Sequence, residues 1–85
     1  MIEVCNVGEV QNVGKMVTNE LFKAIAKHKG MNSPHEAYAV ILEEVDEFWD
    51  EVRKQKPEKA DMLKELLQIS AMAQRAIIDL GLIDE

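Results

Sequence analysis

Two breaks cut an otherwise helical pattern into three segments, and they constrain this chain more than any other feature. The first runs from Gly30 to Pro34, and the second is the stretch Lys54-Gln55-Lys56-Pro57-Glu58-Lys59. Around them apolar residues recur at i, i+3, i+4 and i+7, the spacing of a helix with one buried face. The strongest start signal is Ser33-Pro34-His35-Glu36. Ser33 can cap the helix, Pro34 suits its first position, and Glu36 completes an S-x-x-E box. This helix is predicted to reach about Lys54. Pro57 opens a third helix that extends to about Leu80, where Gly81 ends it. The first helix is predicted from Lys15 to Lys29, with Val17, Leu21, Ala24, Ile25 and His28 in phase and Gly30 just beyond its cap. Residues 1–14, with two glycines and the spaced Ile2, Val4, Val7, Val10 and Val13, read as an extended N-terminal arm. Residues 15–85 read as one domain. The fold class is all-α, a bundle of three main helices per chain.

A chain of 85 residues buries only ~60% of the surface its unfolded form exposes, so its core is marginal. Domains this small usually rely on disulfides, a metal or a partner subunit. The single cysteine, Cys5, excludes an internal disulfide and has no catalytic partner nearby in sequence. Ten basic residues against 16 acidic leave a net charge of −6. Phosphate backbones are held mainly by lysine and arginine, so nucleic acid is not an expected partner. No apolar run approaches the ~20 residues that span a bilayer, so no membrane role is expected. The opening MIEVCNVGEV lacks the basic and apolar regions of a signal peptide. With a lone cysteine, this fits the reducing cytoplasm.

The apolar faces are wide. At 100° per residue, Ala37, Phe48, Ile41, Val52, Val45, Tyr38, Trp49 and Leu42 fall within an arc of about 140° on the second helix. On the third, Met62, Leu66, Ile69, Ala73, Ala76, Ile77 and Leu80 form a stripe that Met72, Leu63, Leu67 and Ile78 extend past half the circumference. One three-helix subunit cannot cover such a surface. A homodimer or homotetramer is expected to complete the bundle, with the third helix central to the interface. Trp49, inside the arc, reads as core.

Two carboxylates fall out of phase with a solvated face. Glu44 lies about 20° outside Ala37, and Glu65 falls between Met72 and Ala76, within the apolar sector. An unpaired carboxylate there needs a cation or a basic partner. Glu44 and Glu47 are three apart, as are Glu65 and Gln68, so each pair can face one site between packed helices. Oxygen donors without histidine or thiol suit Mg²⁺ or Mn²⁺. Glutamates at this spacing are also common on exposed helices, and chance spacing in a structural helix bundle is a rival.

LEEVDEFWDEV followed by KELLQISAMAQRAI resembles the MazG-like nucleotide pyrophosphohydrolases of the all-α NTP pyrophosphatase superfamily. The family pattern is E-x-x-E on one helix and E-x-x-D on the next. Glu44 and Glu47 match the first half, with Glu43 completing an E-E-x-x-E context. Glu65 and Gln68 match the second after a gap of seventeen residues. The resemblance covers roughly residues 15–80 and implies helical dimers or tetramers that cleave nucleoside triphosphates to monophosphate and pyrophosphate. It implies Mg²⁺, with Mn²⁺ possible, held by Glu44, Glu47 and Glu65. An acidic site then meets a polyanion through its cations, with the metal neutralising phosphate charge and activating water.

The departure is Gln68, where the family pattern has Asp. An amide oxygen can ligate a hard cation but adds no charge. A site rebalanced by Asp61 or Glu43, a preference for another metal or substrate, and a catalytically weak binding or regulatory module are therefore alternatives. Asp61 also reads as a helix N-terminal charge favoured by the dipole. Arg75, about 20° from Gln68, reads as a surface arginine or a phosphate contact. Lys23, Lys27, His28 and Lys29 make the first helix the basic one; Lys27 is the candidate there for approaching a triphosphate. His28 and His35 have no further ligand at zinc spacing.

Overall fold

The computed structural model describes residues 6–83. The arm reading at residues 1–5 and the reading of Cys5 lie outside them. The described residues form three α-helices and no strand: α1 Val7–Lys27, α2 Pro34–Val52 and α3 Lys59–Asp79.

The extended arm predicted for residues 7–14 is instead the first two turns of α1. Asn6 supplies the start. Its Oδ1 accepts from the Glu9 backbone N–H at 2.7 Å, while its Nδ2 donates to the Glu9 carboxylate at 2.6 Å. With this cap in place α1 runs through Gly8 and Gly14 despite their low helix propensity.

The far end of α1 also differs from expectation. The helix stops at Lys27, and His28 is already extended, with φ −131° and ψ 148°. Gly30 is therefore not a left-handed cap. Its lack of a side chain serves a close approach instead: a Cβ there would sit 3.0 Å from a carboxylate oxygen of Asp79.

α2 begins as its sequence predicts. The Ser33 hydroxyl accepts from the Glu36 N–H at 3.1 Å. The reciprocal half of the box is displaced by one residue, because Glu36 accepts from Asn32 N–H at 3.3 Å. α3 ends in a Schellman turn: Leu82 N–H reaches Ile77 O and Gly81 N–H reaches Ile78 O, with Gly81 at φ 60°.

α1 and α2 each pack on α3 rather than on each other. The centre of the small core is Met31, Ala37 and Ala76, with Val40, Ile41, Met72 and Leu80 against it. The radius of gyration is 14.4 Å, above the roughly 12 Å of a compact domain this long. The accessible surface is 6948 Å², against about 5,100 Å² for a folded monomer of this mass.

The uncovered surface includes many large apolar side chains. The wide arc of α2 splits in two. Ala37 is buried and Ile41, Phe48 and Val52 are half-buried, whereas Tyr38, Leu42, Val45 and Trp49 are exposed. Trp49, read as core, is 58% exposed: the arc exceeds what α3 alone can cover. Phe22 and Ile25 on α1, and Leu63, Leu66, Ile77 and Ile78 on α3, are exposed as well. Among the described residues, no helix is long and apolar enough to cross a membrane.

Candidate metal centre and adjoining cleft

Packing α2 along α3 brings Glu44 and Glu47 from the one and Glu65 from the other together. One carboxylate oxygen from each lies within 4.8 Å of the others, and all three residues are half-buried. The i, i+3 spacing on α2 turns Glu44 and Glu47 to one side, and the phase of Glu65 within the apolar sector of α3 aims it at them. These are the three residues selected from the sequence as ligands.

Their electrostatics are unbalanced. Glu44 Oε2 and Glu65 Oε2 are sealed from solvent and have no hydrogen-bond partner. None of the three carboxylates is in an ion pair with a described lysine or arginine. Burial, then the charge of Glu47 and a hydrogen bond with it, then the charges of Glu65 and Glu43 push the Glu44 carboxyl up to about 7 from its ordinary 4.5. Burial and Glu47 likewise hold Glu65 above the ordinary carboxylate range, with Lys64 opposing. Sealed oxygens and mutual repulsion are relieved by a positive charge among them, and three carboxylate donors suit a hard divalent cation. The donor set thus fits Mg²⁺ or Mn²⁺ by its chemistry.

The secondary candidates separate. Gln68 lines a cleft together with Glu44, as its i, i+3 relation to Glu65 implies. Asp61 and Glu43 stand outside the three-carboxylate group. Glu43 acts on Glu44 only as a nearby charge. Glu51, on the same flank of α2, is engaged with Lys54 at 2.6 Å.

Arg75 is not a surface arginine. It is 5% exposed, and its guanidinium is committed to three acceptors. Nε donates to Asp79 at 3.1 Å, Nη1 to Ala24 O at 2.8 Å and Nη2 to His28 O at 2.7 Å. Asp79 also accepts from the Met31 N–H at 2.8 Å. The pair therefore fastens the end of α1 and the following turn to α3. Arg75 satisfies helix-terminal carbonyls in place of a phosphate. The only sequence sign of this role is its i, i+4 spacing to Asp79.

Lys27 lines the cleft that also holds Glu44 and Gln68. This cleft, of about 170 Å³, is lined on the α1 side by Glu20, Lys23, Ala24, Lys27 and His28, with Met72 completing the α3 side. The basic turn of α1 and the edge of the glutamate cluster thus share one opening. Comparison with known proteins adds no relative: no family model, no curated protein and no solved structure matches this chain.

Proposed function

We propose that the protein is a Mg²⁺-dependent nucleoside triphosphate pyrophosphohydrolase of the MazG-like kind, working as a homo-oligomer. The observation that carries this reading is the convergence of Glu44, Glu47 and Glu65, with two sealed oxygens left unpartnered. The resemblance of the flanking segments to MazG-like enzymes supplies the reaction class.

In this reading Glu44, Glu47 and Glu65 hold Mg²⁺, with Mn²⁺ as a substitute, and Gln68 offers a neutral amide oxygen beside them. The metal when bound supplies charge neutralisation of the phosphates and a lowered pKa for the attacking water. The chain's own contribution is to fix three donors on two packed helices, so that little reorganisation accompanies binding. The net charge of −6 is consistent with a nucleotide, not nucleic acid, as partner. The cytoplasm is the compartment this substrate implies.

The oligomer is supported by exposed surface. The large apolar side chains left exposed on all three helices offer surface that a second copy would bury. Tyr38, Leu42, Val45 and Trp49 follow the alternating four- and three-residue steps of a helix–helix seam, and a second copy is the occupant proposed for them.

A second reading follows from Gln68. With an amide where the family has a carboxylate, the protein would be a nucleotide- or metal-binding regulatory module with little turnover. One experiment separates the two: incubation of wild type, Gln68→Asp and Glu65→Ala with a panel of ribo- and deoxynucleoside triphosphates and Mg²⁺ or Mn²⁺. Monophosphate plus pyrophosphate from wild type, absent with Glu65→Ala, supports the enzyme. Turnover restricted to Gln68→Asp supports the binding module. Silence from both, with no metal bound, sinks both readings.

A further inference from the structure

We propose that Lys54 is a positioning residue of the metal centre: its ammonium holds the Glu51 carboxylate off the glutamate cluster and so limits the carboxylate ligands to Glu44, Glu47 and Glu65. This inference rests on the metal reading above and concerns what regulates that same site.

The polar residues between α2 and α3 form a ladder. Glu44, Glu47 and Glu51 follow one another along α2 in steps of three and four, which keeps them on one flank. Gln68, Glu65 and Asp61 run along α3 at the same steps, in the opposite direction. The fold pairs them in that order. Glu44 and Gln68 line one cleft, Glu47 is a hydrogen-bond partner of Glu65, and the charges of Glu51 and Asp61 both act on Lys54. The third rung therefore differs from the others in having a cation of its own.

Glu51 belongs to the cluster by phase and by burial. Its side chain is 18% exposed, and its charge acts on Glu65 as that of Glu47 does. Yet it stands outside the group whose carboxylate oxygens lie within 4.8 Å of one another. Lys54 accounts for the difference. Its Nζ meets Glu51 Oε1 at 2.6 Å, and its backbone N–H turns back to Glu51 O at 3.4 Å. The chain reversal just past α2 thus seats the ammonium on Glu51.

As a source of stability this ion pair is minor, because Lys54 is 52% exposed and exposed i, i+3 pairs contribute little. Its consequence falls on the cluster. A carboxylate engaged with an ammonium must give up that partner before it can ligate a metal. Glu44 and Glu65, by contrast, keep sealed oxygens with no partner. The affinity of an oxygen site for a hard cation is tuned by the charge and number of its donors. Lys54 withholds one donor and cancels one charge. A fourth free carboxylate would grip the ion more tightly but leave the centre more negative towards an anionic substrate.

The test measures Mn²⁺ affinity by electron paramagnetic resonance, with no nucleotide present. Wild type is compared with the neutral variants Lys54→Met and Lys54→Gln, with Lys54→Arg, and with Lys54→Met combined with Glu51→Gln. Lys56→Met serves as a control, because Lys56 lies in the same turn and makes no ion pair among the described residues. Circular dichroism establishes that each variant is folded. Both neutral variants are expected to bind Mn²⁺ about fivefold or more tightly, the effect of one released carboxylate. Lys54→Arg and Lys56→Met should match wild type, and adding Glu51→Gln should cancel the gain. Unchanged affinity in the neutral variants, an equal gain in Lys56→Met, or a gain that survives Glu51→Gln would each overturn the role of Lys54 while the metal reading stands. Failure of wild type to bind Mn²⁺ would overturn the metal reading and this inference with it.

Discussion

Arg75 Nη2 donates to the backbone oxygen of His28 at 2.7 Å, so a side chain on α3 finishes the end of α1. Replacing Arg75 by Met keeps the length of the stem but strands two carbonyls and the Asp79 carboxylate. Removing one partner of a buried ion pair costs about 3–5 kcal/mol, and the partial exposure of Asp79 points to the lower end. Arg75→Lys should recover less than half of that loss, because one ammonium cannot span three acceptors in the guanidinium's fixed fork. Urea midpoints of the three proteins check the order.

Gly30 and Gly14 should respond in opposite directions to alanine. At Gly30 the new Cβ meets Asp79 Oδ2 at 3.0 Å, an oxygen held in place by Met31 and Arg75. The carboxylate must move and weaken both hydrogen bonds, a loss of about 1 kcal/mol. At Gly14, inside α1, a Cβ meets nothing within 4 Å. There alanine should stabilise by about 0.5–1 kcal/mol through helix propensity. Thermal melts of both variants beside wild type decide the signs.

The apo protein should lose stability as pH rises. Glu44 is raised from 4.5 to about 7, and Glu65 is raised in the same direction. The folded chain therefore binds these protons more tightly than the unfolded chain. Their destabilising contribution is absent below the unfolded pKa, grows between 4.5 and about 7, and is complete above that. Melting temperature without metal should accordingly be higher near about pH 5.5 than near about pH 8. Adding Mg²⁺ should restore it at the higher pH and have less effect at the lower, because protons compete for the same oxygens. A metal-free Tm that climbs over this range contradicts the description of the cluster.

Association should depend on the exposed seam of α2. Leu42→Lys together with Trp49→Ser removes two large apolar contacts from Tyr38, Leu42, Val45 and Trp49. If these are central to the interface, dissociation should strengthen about thirtyfold or more, the effect of losing a binding hot spot. Sedimentation velocity over a dilution series measures it. Unchanged association would move the interface to the apolar residues of α1 or α3.

What was legible in the sequence was what depends on near neighbours. Ser33, Pro34 and Glu36 mark the start of α2 because a cap is made within one turn. The phases of Glu44 and Glu65 identify them as unusual because each departs from its own helix's polar face. Asn6 and Glu9 carry a comparable start signal for α1, and the valines and glycines after them obscured it. Arg75 and Trp49 were misread for another reason. The exposure of each is decided by how three helices lie together, and Arg75 is buried by carbonyls 47 and 51 positions away. The width of the α2 arc announced more apolar surface than one chain covers, without saying which half would remain outside.

The order of the helices along the chain bears on how this protein matures on the ribosome. α1 and α2 leave the exit tunnel first, yet neither packs on the other. Both wait for α3, which supplies the surface they share and the arginine that fastens the end of α1. Docking therefore cannot proceed helix by helix during synthesis, and the core side of α2, with Ala37, Val40 and Ile41, stays open to other chains until α3 emerges.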